Sequence, residues 1–376
     1  MSASAAAHRD VPLAIYLDPP SHHFLRDRLF DAAMCLFSGD ESLAPFVAVR
    51  DHFAAHGIPV HTADALAGGP GRRKLYVSLG EWQGFARRLR RHGAVPSAIF
   101  ALECPVVEPR LYRALPGLAS RFRRVFTWSE PVHLEPYSRR PFASLPFRLP
   151  QPTDGVHEAI WRRRDRRFLT LVNTNKLPRH PLGELYGERR RAIAFFSRHG
   201  EIDVFGRYWD EAPRRVGRTW VPATLRRLGL RLWRVRQRLF PNPVYADCAA
   251  AWRGATSSKR DTLGGYHFAL CYENAAVPGY LTEKVFDCFA CGTVPIYLGA
   301  PDVGSWIPAE CFIDRRELGD DSDLRRFLHA LPVRRVEALR DAARDFLASE
   351  RFAPFRPAAF VAHFRRIVAE DAGVAT

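Results

Sequence analysis

The chain has 376 residues, of which 47% are hydrophobic, and a formal net charge of +16 with a pI near 10.1. That length and apolar content are ordinary for a globular protein and allow two domains, each with a core of its own. The charge points to anionic partners, whether nucleic acid, an anionic membrane surface or phosphorylated ligands, although an excess that is nearly all arginine also fits a GC-rich genome.

Val11 to Leu17 (VPLAIYL) reads as a first strand, closed by the turn residues Asp18, Pro19, Pro20 and Ser21. Arg26 to Phe37 and Leu43 to His56 read as helices, followed by short strands over Ile58 to His61 and Leu75 to Leu79. A basic helix is expected over Trp82 to His92, ended by Gly93. Ser97 to Leu102 (SAIFAL) is a strand that delivers Glu103 at its end, where open α/β sheets place ligands. Glu103 beside Pro105 has the chemistry of a general base, and Glu108 is a second candidate further along the loop; either can equally be a solvated loop acid. A short helix over Arg110 to Leu115 and a strand over Arg124 to Trp128 complete an alternating α/β pattern with a mostly parallel sheet. Pro141 to Gly155 (PFASLPFRLPQPTDG) is the best linker in the chain, so a domain boundary is expected near residue 150.

Phe168 to Val172 opens the second domain as a strand, and a helix over Glu188 to His199 leads to a strand over Glu201 to Phe205. Arg189, Arg190 and Arg191 start that helix; an arginine fork suits two phosphate oxygens, and three surface arginines would look the same. Arg214 to Arg238 contains nine arginines and no acid, with Leu225, Leu228, Leu232, Val235 and Leu239 at helical spacing. This is a basic amphipathic helix of the membrane-surface kind, where each arginine is worth roughly 1 kcal/mol near an anionic leaflet, or else a helix packed on its own domain. Tyr266 to Tyr272 is a buried strand, Glu273 to Leu281 a loop, and Thr282 the N-cap of a helix that stops at Gly292; Thr293 to Leu298 resumes as a strand. The unit is a right-handed βαβ, implying a parallel sheet.

The start of that second helix carries the chemistry. Free N–H groups and positive potential make a helix N-terminus an anion site. Lys284 adds a full charge and Glu283 an acceptor for hydroxyls, the parts that hold a sugar nucleotide, though both could be solvated first-turn residues. Further on, Asp321-Ser322-Asp323 forms a DxD, but it stands directly before a helix over Leu324 to Leu331 and reads as N-cap chemistry. Closing helices are expected over Glu337 to Leu347 and Ala359 to Glu370. The seven cysteines, Cys35, Cys104, Cys248, Cys271, Cys288, Cys291 and Cys311, are odd in number and set among apolar residues, against a disulfide framework and for a reducing compartment. Cys288 and Cys291, a lone CxxC, read as small core residues rather than metal ligands. No signal peptide is expected in MSASAAAHRD, and no run of about 18 apolar residues announces a transmembrane helix.

Between Phe268 and Gly299 the strings F-A-L-C-Y-E-N, G-Y-L-T-E-K-V-F-D and G-T-V-P-I-Y-L-G follow one another. Together they resemble the donor-binding motif of the family 10 fucosyltransferases (α-1,3/α-1,4). L-E-C-P at Glu103 is similar to the Glu-Ser-Pro-like motif that supplies the base in that family, with Cys104 in place of a small polar residue. Thr174 and Asn175 match the family's Ser-Asn element only weakly. The resemblance is strongest over 266 to 314 and traceable from about 97 to 365; F-L-A-S-E-R-F also looks like the C-terminal region of bacterial relatives.

It implies an α/β GT-B architecture, two Rossmann-like domains facing across a cleft and closed by C-terminal helices. Residues 1–150 would form the acceptor-binding domain, 151–350 the GDP-sugar domain and 351–376 a C-terminal helix and tail. It implies inverting transfer of L-fucose from GDP-β-L-fucose to a hydroxyl, O3 or O4 of an N-acetylglucosamine or glucose unit, of an oligosaccharide or lipid-linked glycan. Glu103 would be the base. Arg189, in a register set within 189–191, and Lys284 would hold the pyrophosphate, Glu283 the ribose hydroxyls, and Asn274 and Tyr280 would line the donor pocket. No metal or other cofactor is implied, and no nucleic-acid partner. A cytoplasmic protein of the soluble bacterial type is expected, peripheral on the inner face of the membrane through 214–240. Two other readings stay open: a GT-B transferase using another nucleotide sugar, and a basic membrane- or nucleic-acid-binding protein with a vestigial cleft.

Overall fold

The computed structural model describes residues 12–31, 42–66, 73–80, 91–153, 155–215 and 223–376. They fall into two compact units, one holding the residues up to Pro152 together with Phe352–Thr376, the other running over Thr153–Arg351. The chain therefore changes unit between Pro152 and Thr153, inside the Pro-rich stretch.

The first unit is built on strands β1 (Leu13–Asp18), β2 (Val60–Thr62), β3 (Arg73–Ser78), β4 (Val95–Phe100), β5 (Arg124–Thr127) and β6 (Leu145–Pro146). They pair in the order β2-β1-β3-β4-β5-β6, every pair parallel. Such a sheet must be covered on both faces, which is why β1 is buried at all six positions. Phe100 of β4 stacks on Phe126 of β5 at 4.4 Å and on Phe364 at 5.5 Å. Phe364 belongs to the Pro357–Ala372 helix, whose Phe360, Val361, Phe364, Ile367 and Val368 are buried. The separate C-terminal segment expected over 351–376 is thus corrected: from Phe352 on, the chain returns to the first unit and completes its core. Polar bonds fix that return, since Asp371 accepts from Arg123 at 2.8 Å and Arg124 at 2.9 Å.

A helix over 26–37 does not form in its described part. Arg26 and Asp27 hold φ of 61° and 57° between two short 3-10 turns. Their loop is tied to the end of β2, where Asp27 accepts from the Thr62 N–H at 2.7 Å and Asp64 accepts from the Arg26 N–H at 3.0 Å. These carboxylate bonds between segments distant in sequence hold the loop in place of a helix. The helix expected over 82–92 lies almost wholly outside the described residues, as does Cys35. The Pro131–Ser138 helix and β6 were not anticipated.

The second unit carries β7 (Arg167–Val172), β8 (Lys176–Leu177), β9 (Ile202–Phe205), β10 (Arg214–Arg215), β11 (Tyr266–Tyr272), β12 (Val294–Leu298) and β13 (Ile313–Asp314). Five form a parallel sheet in the order β13-β12-β11-β7-β9, and β8 pairs with β10 separately. β11 sits at its centre, which explains its nearly unbroken apolar run. The Glu283–Cys291 helix buries Val285, Phe286, Cys288, Phe289, Ala290 and Cys291, and Gly292 ends it in the left-handed region at φ 65°. The six described cysteines are buried. At the DxD, Asp320 is the cap: it accepts from the Ser322 and Asp323 N–H groups, and Asp323 returns the bond in a capping box.

Candidate functional site

The order of the second sheet has one reversal. From β7 the chain crosses through the Tyr186–Arg198 helix to β9 on one side, while β11 leads through the Glu283–Cys291 helix to β12 and β13 on the other. The switch point lies between β7 and β11, and a ligand crevice belongs outside the carboxyl ends of these strands. Both helices begin at that edge.

The loops that lead into them are joined. Glu184 and Ala275 form an antiparallel bridge, the Ala276 N–H donates to Gly183 O at 2.8 Å, and the Leu185 N–H donates to Asn274 O at 3.3 Å. This brings Arg189, in the first turn of its helix, under the end of β11. Its Nη2 donates to Tyr272 O at 2.6 Å and Glu273 O at 3.0 Å. Arg189 is 2% exposed, and its Nε and Nη1 have no partner among the described residues. Burial lowers its pKa, with Tyr186 and Glu273 acting against that; a guanidinium stays charged all the same. Its neighbours point elsewhere: Arg190 donates to Lys176 O at 3.0 Å and Arg191 pairs with Glu188. Of the three arginines, Arg189 is the one turned toward β11.

Glu273, the first residue past β11, is 0% exposed. Its Oε1 accepts from the Thr282 N–H at 2.8 Å, its Oε2 from the Thr282 hydroxyl at 2.7 Å and from Lys284 Nζ at 3.0 Å. Thr282 holds the N-cap position but gives no side-chain cap; its hydroxyl serves Glu273 instead. That corrects the cap expected from its side chain, and it leaves the first turn without a hydroxyl acceptor, open to an anion. Burial raises the Glu273 pKa, opposed by Lys284 and Thr282. For Lys284 burial works downward, but Glu273 and Glu283 outweigh it and the pKa ends above its ordinary value. The ammonium is therefore a firm cation, already engaged by a buried carboxylate.

Glu283 stands beside it with its side chain half-exposed, 3.6 Å from Lys284 Nζ. Burial would raise its pKa, but Lys284, Lys259 and its own backbone N–H bring it down to about 2. It is a permanent acceptor at the rim. Asn274 Nδ2 donates to the Tyr280 hydroxyl at 3.5 Å, and Tyr280 is buried. Asp302 braces the loop, accepting from the Gly279 N–H at 2.7 Å and Trp306 Nε1 at 3.0 Å. Arg189, Asn274, Tyr280, Glu283 and Lys284 thus gather at one edge of one sheet. Glu103 belongs to the first unit, three residues past β4, where its Oε1 accepts from the Cys104 N–H at 2.9 Å and its carbonyl from the Tyr112 hydroxyl at 2.7 Å. Among the described residues no three His, Cys, Asp or Glu side chains converge to hold a metal ion.

Residues 233–337, which contain this helix start and Glu273, match the model of "Glycosyltransferase family 10 (fucosyltransferase) C-term". This part of the chain is similar to the C-terminal part of glycosyltransferase family 10. Over 92 residues it is 39% identical to an alpha-(1,4)-fucosyltransferase of Arabidopsis thaliana, covering 23% of each chain. Over 75 residues it is 35% identical to the alpha-(1,3)-fucosyltransferase FucT of Helicobacter pylori, covering 19% of this chain and 16% of that one. The aligned stretch thus spans less than a quarter of either relative. A sucrose-phosphate synthase of Thermosynechococcus elongatus has the same fold, with a TM-score of 0.52 at 12% identity over 96% of this chain and 99% of the other. Two parallel-sheet α/β units of this kind are the GT-B fold.

Glu273 lies inside the family 10 segment, yet an acid at the end of an apolar strand looks in sequence like any solvated loop acid. Its neighbour Gly299 carries the clearer signal. A Cβ there would stand 2.4 Å from the Tyr297 hydroxyl and 2.6 Å from Glu273 Cγ, so only glycine fits beside the carboxylate.

Proposed function

We propose that the chain transfers L-fucose from GDP-β-L-fucose to a glycan hydroxyl with inversion, giving an α-fucoside. The observation that carries this reading is the start of the Glu283–Cys291 helix with Lys284, which lies inside the family-matched residues 233–337, and buried Arg189 under the end of β11 at the switch point. The acceptor oxygen attacks the anomeric carbon opposite the leaving GDP, through an oxocarbenium-like state. The bond to the β-phosphate oxygen breaks, and its electrons stay on the pyrophosphate. Arg189, Lys284 and the helix N-terminus hold that charge. Glu283, ionised throughout the working pH range, accepts from the ribose hydroxyls; Asn274 and Tyr280 line the donor pocket. Glu103 takes the acceptor proton as general base.

The relatives named for 1,3 and 1,4 linkages support O3 or O4 as the target, and an N-acetylglucosamine or glucose unit is our reading of the sugar that carries it. An oligosaccharide or lipid-linked glycan, lipopolysaccharide included, fits as acceptor, and a cytoplasmic enzyme at the inner membrane face is our reading of its location. Glu103→Gln should bind GDP as the native chain does and lose transfer; near-native turnover would remove Glu103 as the base. Release of sugar from a panel of nucleotide sugars should favour GDP-fucose, and preference for a UDP-sugar would overturn the donor assignment.

A further inference from the structure

The Ala223–Leu239 helix has an inward face and a separate, outward apolar face. At about 100° per residue, Leu230, Trp233 and Gln237 fall on one side, where all three are half-buried and Trp233 meets the Tyr245 ring at 6.2 Å between centroids. By that side the helix packs on its own unit. Leu225, Leu228, Leu232, Val235 and Leu239 fall on another, within an arc of about 80°. They are 57%, 52%, 61%, 51% and 67% exposed, and Phe240 follows at 73%. These six are the majority of the large apolar side chains exposed among the described residues, and none is needed for the helix to pack. Arg227, Arg231, Arg234 and Arg238 line one border of the stripe and Arg236 the other, all exposed. No acid occurs between Pro213 and Ala246.

We propose that this outward face seats the protein on an anionic lipid surface. The helix lies in the plane of the membrane, its five aliphatic side chains in the headgroup–acyl boundary and its arginines on the headgroup phosphates. The two rows of features select this occupant together. A nucleic acid would use the arginines and leave the stripe in water. A second copy laid stripe to stripe would set arginine against arginine, with no acid in the segment to relieve the repulsion. The proposal is independent of which sugar nucleotide the unit binds.

The test is co-sedimentation of the full chain with vesicles of phosphatidylglycerol mixed into phosphatidylcholine, against phosphatidylcholine alone. Binding should require the anionic lipid and fall as salt rises. Leu228→Ser with Leu232→Ser should weaken it at least about tenfold while leaving the thermal midpoint unchanged, because both side chains already face water. Arg227→Gln, Arg231→Gln and Arg234→Gln together should also weaken it and flatten its salt dependence. Equal retention on neutral vesicles, or native binding by the double leucine variant, would overturn the proposal. So would a dimer in sedimentation equilibrium that this variant abolishes, since the stripe would then belong to a second copy.

Discussion

Lys284 is not a bare cation: its ammonium stands 3.0 Å from Glu273 Oε2 and 2.9 Å from the Thr282 hydroxyl. A pyrophosphate arriving at this helix start has to share it. Arg189 adds the uncompensated charge, with two donor nitrogens unpaired beneath β11. Lys284→Ala removes a charge-assisted bond and should weaken GDP binding about 10- to 100-fold, by roughly 1.5–3 kcal/mol. Glu273→Gln leaves a buried ammonium short of its counter-charge. It should lower the thermal midpoint, at a cost of about 1–3 kcal/mol. The same variant should gain more from saturating GDP than the native chain, because the ligand's phosphates replace the missing carboxylate. A GDP-induced shift no larger than native would show that Glu273 acts on the loop rather than on Lys284. The part played by Glu273 was not legible beforehand. Glu283 and Lys284 stand out at a helix start, whereas Glu273 gains its role only when the loop folds back and buries it.

At the scale of elements, β11, the Glu283–Cys291 helix and β12 were legible almost to the residue. A seven-residue apolar strand, a helix face at three- and four-residue spacing and a glycine stop leave little choice of structure. Gly299→Ala would press a methyl on Tyr297 and Glu273, costing about 1–3 kcal/mol and loosening GDP through the displaced carboxylate. The Pro357–Ala372 helix was legible as a helix but not by its partner. An amphipathic pattern gives a face, and only the stacking on Phe100 and the Arg124–Asp371 pair say where it goes. Burial would raise the Asp371 pKa, but bonds from Arg124, Ser97 and Arg123 hold it below its ordinary value. A carboxylate with a depressed folded pKa stabilises the fold above its unfolded pKa of about 3.9 and loses that contribution as pH falls through the folded value. Arg124→Ala should cost roughly 2–3 kcal/mol at pH 7, and its deficit in thermal midpoint should shrink on acidification below pH ~4. A deficit that stays constant down to the acid limb would deny the pair its role.

Over the whole molecule, the alternation of strands and helices and the Pro-rich stretch before Thr153 announced two α/β units. The return of the chain at Phe352 could not be read, because it depends on contacts between segments far apart in sequence. The basic segment was legible as amphipathic but ambiguous; a helix with an inward face and a separate, outward apolar stripe resolves what periodicity alone had merged. The proposed function requires the carboxyl edge of the second sheet to be a guanosine diphosphate site built on Arg189 and the start of the Glu283–Cys291 helix. Calorimetric titration of the full chain with GDP, beside UDP and beside Lys284→Ala, measures it most directly. GDP should bind in preference to UDP and lose at least about tenfold in affinity in the variant. Absence of GDP binding, or equal affinity in native and variant chains, would contradict it.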